Sequence, residues 1–260
     1  VDVLPETSSE RGIGEALEAA LDGEHLQQLD EVCRRIRPNW DSMSSRYRWI
    51  PDAEDLMELV RSNRIDRTQL AKMAQRSLDG LLPLLGRRRK DGQPIEDDLQ
   101  EEIERALKHL GRGDDTQVTA KAIAELKEVQ RTLRLSRELP WAVWAKLGGL
   151  SAAKAHEDVM ADVQAAAARH REHPRFHDDV TQYVRLLYEA VEKGLAGYSA
   201  WKEERRYIDY VDMEERALDL LDRPEVAEAL RGRLQLLVVD EFQDTSPIQL
   251  ALFLKIEALC

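Results

Sequence analysis

The residues best equipped for chemistry run Val238-Val239-Asp240-Glu241-Phe242-Gln243-Asp244-Thr245-Ser246-Pro247-Ile248-Gln249. Ahead of them stands a short apolar run, Leu234-Gln-Leu-Leu-Val-Val. A run of that length and type reads as a strand buried on both faces. Two adjacent acids, Asp240 and Glu241, then emerge at its C-terminal end, which is where open α/β sheets hold ligands. One carboxylate, Asp240, can hold Mg2+ through its water shell, because Mg2+ takes oxygen ligands and keeps much of its hydration. The next, Glu241, can orient and deprotonate a water beside that ion. Gln243 is a neutral donor and acceptor, suited to a phosphate oxygen or to the same water. Ser246 has the type and place of a helix N-cap, with Pro247 at the first helical position.

Other signals each carry a plainer reading beside the functional one. Arg87, Arg88, Arg89 and Lys90 lie between Gly86 and Gly92, and Arg131, Arg134 and Arg137 recur near one helical turn. Both sets can contact nucleic-acid phosphate. The plainer reading is a solvated loop and a solvated helix face. Trp201, Lys202, Arg205, Arg206, Tyr207 and Tyr210 interleave cations with aromatics, as in a surface that stacks single-stranded bases. Core packing of Trp201 and Tyr210 competes with that. Trp141 and Trp144 read as core. His170, His173 and His177 crowd around Pro174 without an evident fourth ligand, and are read as a solvated helix junction rather than a metal site.

The elements that must position these residues are mostly helical. Hydrophobic residues make up 43% of the 260-residue chain and charged ones 34%, but aromatics only 5%. That balance disfavours a β-rich fold. Val118, Ala122, Leu126, Val129 and Leu133 place one apolar stripe on a helix from about Gln117 to Arg137. Phe176, Val180, Val184, Leu187, Val191, Leu195 and Tyr198 predict a longer one, approaching roughly 45 Å. Asp52 and Asp66 are expected to cap helices, and Asp209 to begin another. Pro38, Pro51 and the serines at 42, 44 and 45 break the pattern, and Gly111-Arg-Gly-Asp-Asp reads as a linker.

Two cysteines, Cys33 and Cys260, exclude a disulfide scaffold and a cysteine zinc site. No long uncharged apolar run suits a membrane span, and no signal-peptide pattern opens the sequence. The expected setting is reducing and cytoplasmic. A net charge of -12 disfavours a dedicated nucleic-acid coat protein, though it leaves room for a local basic patch.

The run Asp240 to Thr245, with Gln249 beyond it, resembles motif II, the Walker B segment, of the UvrD/Rep/RecB family of superfamily 1 DNA helicases. Ile208-Asp209-Tyr210-Val211-Asp212-Met213 resembles the Asp-Phe-x-Asp-Leu segment that these proteins carry shortly before motif II, with Tyr210 and Met213 in place of the usual Phe and Leu. The proximity to Pro247-Ile248-Gln249-Leu250 resembles the AddA/RecB-like branch more than UvrD itself. The resemblance implies a mainly α fold: a multi-helix insertion of the 1B type over residues 1–206, then, over 207–260, one strand and helix of a P-loop-type α/β core of the 1A type. It implies that Asp240 positions Mg2+ through water. Glu241 would complete the metal and nucleotide side as general base. Gln243 would contact the γ-phosphate or the water and couple hydrolysis to movement on DNA. The cofactors implied are ATP and Mg2+. The partners are DNA, as single strand or duplex junction, and a nuclease or repair protein, with translocation 3′ to 5′ in repair or recombination.

No Gly-x-x-x-x-Gly-Lys-Ser/Thr occurs in the sequence, so the phosphate-cradling loop is missing. The polypeptide by itself is therefore expected to be inactive and to hold no tightly bound cofactor. The first residue is Val1, and Cys260 follows closely on an apolar helical pattern, which together suggest an excised piece of a larger protein. The rival reading is a non-catalytic helical module that docks protein or DNA and carries a relic ATPase motif.

Overall fold

Apolar residues spaced three and four apart fill most of the sequence, and the backbone follows them: 80% of the structure is helical. The computed structural model describes residues 2–36, 40–41, 46–47, 49–110, 116–136, 138–231 and 233–259. The expected breaks at Pro38, Ser42, Ser44 and Ser45, the linker at 111–115 and Arg137 lie outside the described residues. In chain order the elements are β1 (Asp2–Val3), α1 (Glu6–Ala20), α2 (Gly23–Ile36), β2 (Trp40–Asp41), β3 (Arg46–Tyr47), α3 (Trp49–Ser62), α4 (Leu70–Leu85), α5 (Gln93–Leu110) and α6 (Gln117–Ser136). They continue with α7 (Trp141–Leu147), α8 (Glu157–Ala168), α9 (Pro174–Arg205), β4 (Tyr207–Ile208), α10 (Tyr210–Leu221), α11 (Pro224–Leu230) and α12 (Pro247–Glu257).

Several boundaries follow from single residues. The Asp66 carboxylate accepts from the Thr68 N–H at 2.8 Å and caps the short turn that leads into α4. Pro174 opens α9, where a missing N–H costs nothing. At α3 the helix begins at Trp49, three residues before the expected cap Asp52. Trp49 and Ile50 are both 1% exposed, and their burial draws the first turn inward. Pro51 then sits inside that first turn instead of ending the pattern.

Two compact units are formed, each from separate stretches of chain. One comprises residues 1–25, 50–73 and 187–260, the other 26–49 and 74–186. The expected junction after residue 206 lies inside the first unit. The second unit is built on α5, α6, α7 and α8. Leu99, Ile103, Leu126, Trp144 and Val163 form its centre, all 1% exposed or less. Burying such side chains stabilises by roughly 1.5–3 kcal/mol each. Its β2 and β3 pair antiparallel, Trp40 opposite Tyr47.

In the first unit β1 and β4 pair in parallel, Asp2 with Tyr207 and Val3 with Ile208. Its helices approach closely through small residues. A Cβ added at Gly194 on α9 would lie 2.6 Å from Leu17 Cδ1 on α1. One added at Gly197 would lie 3.0 Å from Ala20 Cβ and 3.1 Å from the Ala16 carbonyl oxygen. Gln249 Nε2 on α12 donates to Glu214 Oε1 on α10 at 2.6 Å, and Lys255 pairs with Asp222, so α12 is fixed along α10.

The strand expected over residues 234–239 is not formed. Neither β1–β4 nor β2–β3 includes it, and the segment carries no ladder of its own. A strand needs a hydrogen-bonded neighbour. Leu237 and Val239 are half-buried, while Leu236 and Val238 are 79% and 78% exposed, so the run is covered on one side rather than two.

Candidate active site

Asp240 and Glu241 follow that apolar run on a bend. The Glu241 N–H donates to Asp240 Oδ1 at 2.9 Å. Glu241 itself has φ 49°, in the left-handed region. For a residue with a Cβ this costs about 1–2 kcal/mol. A single helical turn, Phe242–Asp244, brings the Gln243 amide back to donate to Glu241 Oε2. Ser246 then caps α12 as expected. Its hydroxyl accepts from the Gln249 N–H at 3.3 Å, and Gln249 Oε1 accepts from the Ser246 N–H at 3.1 Å, a reciprocal capping box. Asp240, Glu241 and Gln243 are all exposed. The arrangement presents two acceptor carboxylates and an amide at the tip of an elbow, backed by a helix pinned to α10.

A second pair of acids in the same unit behaves in the opposite way. Asp209 is the N-cap of α10, and Asp212 completes its capping box. Arg61 Nη2 donates to both Asp209 oxygens at 2.6 and 2.7 Å. Lys202 Nζ donates to Asp209 Oδ2 at 3.0 Å and also holds Asp212. The Tyr198 hydroxyl donates to Asp209 Oδ2 at 2.9 Å and lies 2.8 Å from Ser9 Oγ. Arg61 and Lys202 flank the Tyr198 ring, at 5.1 and 4.6 Å from its centroid. Burial alone would raise the Asp209 carboxyl. The adjacent Arg61 and Lys202 charges and the Asp212 N–H outweigh it and hold the carboxyl well below the usual carboxylate range. Burial pushes the Tyr198 hydroxyl up, so it stays protonated and keeps donating. Arg61 loses by desolvation but gains more from Asp209, and its own value rises.

Sequence reasoning found Asp209 and Asp212 but missed Arg61 and Tyr198 as their partners. Arg61 reaches Asp209 across 148 residues, and no local pattern announces such a pair.

The cations expected to meet nucleic acid are dispersed in their contacts. Arg88 donates to Asp178 at 2.8 and 2.9 Å. Arg89 donates to Glu172 at 2.8 Å through its side chain and again through its backbone. Arg87 and Lys90 are exposed beside them, with no ion pair among the described residues. Arg131 pairs with Glu128 at 3.5 Å and Arg134 with Glu104 at 3.9 Å. Trp201 is half-buried, stacked on Tyr198 at 5.9 Å and against Gly12, with the Arg205 guanidinium 4.8 Å from its ring. Arg206 is exposed at φ 58°, and its carbonyl accepts from the Asp2 N–H. Trp141 and Trp144 are core, as their pattern suggests, with Trp141 Nε1 donating to Asp179 at 2.7 Å.

The three histidines correct the expectation of a solvated junction: His170, His173 and His177 are 7%, 5% and 6% exposed. Each is committed elsewhere, His170 to the Ala167 carbonyl, His177 to the Arg171 carbonyl, and His173 to Glu96 and the Arg175 N–H. A Cβ at Gly92 would lie 2.0 Å from His173 Nε2, so the basic loop ends seated on that ring.

The chain is thus mainly helical, with two adjacent exposed acids on a bend ahead of a capped helix. The model of the UvrD/REP helicase N-terminal domain matches residues 31–258, so the chain belongs to the UvrD/Rep helicase family. The match assigns no branch within the family. Comparison with curated proteins returns no match. Helicases of this family use ATP and Mg2+ and act on DNA. The oxygen donors of Asp240 and Glu241 suit Mg2+ held largely through water. The described residues gather no group of three or more His, Cys, Asp or Glu side chains able to enclose a metal. The phosphate side of such a site, a Gly-Lys-Ser/Thr loop, is not in the sequence. No helix among the described residues is long and apolar enough to cross a membrane.

Proposed function

We propose that the elbow Asp240–Thr245 is the hydrolytic face of an ATP-driven DNA helicase, one that translocates 3′ to 5′ in DNA repair or recombination. Asp240 holds the water shell of Mg2+, and Glu241 takes the proton of the attacking water. Gln243, already bonded to Glu241, orients that carboxylate and contacts the water or terminal phosphate. Bound ATP and Mg2+ supply the reactive phosphoryl group and the charge that neutralises its oxygens. Residues 207–260 belong to the ATPase core and the helices before them to its insertion. A phosphate-cradling loop must come from sequence outside these 260 residues, so this chain alone does not turn over ATP. The observation that carries the reading is the exposed, left-handed Glu241 directly after Asp240, its carboxylate already engaged by Gln243.

The test is Glu241→Gln in the helicase that joins this chain to a Gly-Lys-Ser/Thr loop. Expected is loss of single-strand-stimulated ATPase by roughly 10²–10⁴-fold with ATP binding retained. Activity within a fewfold of the parent overturns the role of Glu241. DNA-stimulated turnover by the 260-residue chain, abolished in Glu241→Gln, overturns its inactivity alone.

A further inference from the structure

The elbow is held from its C-terminal side. Ahead of it, the run 234–239 carries no ladder among the described residues. Behind it, the links follow one another without a gap. The Asp244 N–H donates to the Glu241 carbonyl at 2.9 Å, and the Thr245 N–H to the Phe242 carbonyl at 3.2 Å. Ser246 comes next and opens α12 in its capping box with Gln249. Ile248, 2% exposed, seats the first turn of that helix. The place of Glu241 therefore depends on where α12 begins.

One side-chain amide governs that start. Gln249 Oε1 accepts from the Ser246 N–H at 3.1 Å, and Gln249 Nε2 donates to Glu214 Oε1 at 2.6 Å. An amide can turn end for end, since one end donates and the other accepts. Here both neighbours forbid it. A carboxylate only accepts and a backbone N–H only donates, so the turned amide loses both bonds. Glu214 is half-buried on α10, 35 residues earlier in the chain, and α10 is itself set by the Asp209–Asp212 capping box.

We propose that Glu214 is a positioning residue for ATP hydrolysis: it fixes the orientation of the Gln249 amide, hence the start of α12, hence the place of the Glu241 carboxylate. The inference rests on the hydrolytic reading of the elbow. Glu214 acts through Gln249 and takes no part in moving the proton. A base displaced in this way costs turnover and leaves nucleotide binding intact.

The test removes the carboxylate and then removes the need for it. Glu214→Ala leaves the Gln249 amide without its orienting partner. Adding Gln249→Glu supplies a side chain with two equivalent acceptor oxygens, which meets the Ser246 N–H whichever way it turns. Two readouts are taken. One is hydrogen exchange of the Ser246 N–H, by NMR on the 260-residue chain. The other is single-strand-stimulated ATPase of the helicase that joins this chain to a Gly-Lys-Ser/Thr loop. Expected in Glu214→Ala are Ser246 exchange about tenfold faster and kcat about tenfold lower, at an unchanged KM for ATP. The double variant returns both to within about threefold of the parent. Glu214→Gln keeps the size of the side chain but permits the amide to turn, so it gives a smaller loss of the same kind and replaces Glu214→Ala should that variant not fold. Lys255→Met breaks the ion pair to Asp222 on the same two helices without touching the amide, and leaves kcat unchanged. Parental kcat in both Glu214 variants, no recovery in the double variant, or an equal loss in Lys255→Met overturns the role of Glu214. Glu241→Gln is assayed alongside. Near-parental turnover there overturns the hydrolytic reading and the positioning role together, whereas abolished turnover there with parental kcat in the Glu214 variants overturns the positioning role alone.

Discussion

Asp209 with Asp212 and Asp240 with Glu241 are two acid pairs in one compact unit, and their surroundings could hardly differ more. The first is sealed: Asp209 is 2% exposed and receives Arg61, Lys202, Tyr198 and the Asp212 N–H. The second is open, with the Glu241 N–H and the Gln243 amide as its neighbours. A carboxylate whose oxygens are all claimed cannot bind a metal or take a proton from water. It holds helices in place. A carboxylate left exposed on a strained bend contributes little to folding and stays available. The two are physically joined, because α10, which Asp209 caps, carries the Glu214 that anchors α12 behind the elbow.

That contrast can be broken by substitution. Asp209→Asn leaves Arg61 and Lys202 with a neutral neighbour in a buried setting. The expected destabilisation is about 3–5 kcal/mol, read from chemical denaturation. A value below about 1 kcal/mol would mean the node is not structural. The acid limb sharpens the point. The Asp209 carboxyl is depressed in the fold, so its contribution is complete above its unfolded value near about 4 and is lost as pH falls through the folded one. The stability of Asp209→Asn should therefore fall less steeply in acid than that of the parent. His170 and His173 are held below their ordinary value by burial, so they act at higher pH, lowering stability as pH falls below about 6.5.

At the open pair the signs differ. Glu241→Gly removes the strain of a left-handed residue and is expected to stabilise by about 1 kcal/mol while destroying the proposed base. Destabilisation would mean that the Gln243 contact outweighs the strain. Asp240→Asn is expected to change stability by no more than about 0.5 kcal/mol, measured in the same denaturation series. A larger loss would place Asp240 with the sealed pair.

Much of this was legible in the residues. Ser246-Pro247 with Gln249, Asp66 before Thr68, and Asp209 before Asp212 are local signals, and each caps the turn it precedes. The periodic runs gave α6 and α9 within a few residues. What was not legible depends on distant partners. The apolar run at 234–239 has strand character, but a ladder is a property of two segments, and no described neighbour supplies the second. Arg61 and Tyr198 looked like ordinary positions on helix faces until the fold brought Asp209 between them. Histidines at 170, 173 and 177 looked polar enough for solvent. Their rings are nevertheless accommodated among Trp141, Phe176 and nearby carbonyls.

The close approach of α1 and α9 has a consequence for how this sequence drifts. Gly197 is tolerated because Ala16 and Ala20 are small, and Ala16 is tolerated because Gly197 has no side chain. Bulk gained at either helix must be surrendered by the other, so these positions evolve as a linked pair. Homologous sequences should display them as covariation, with the sum of side-chain volumes preserved more faithfully than any single residue.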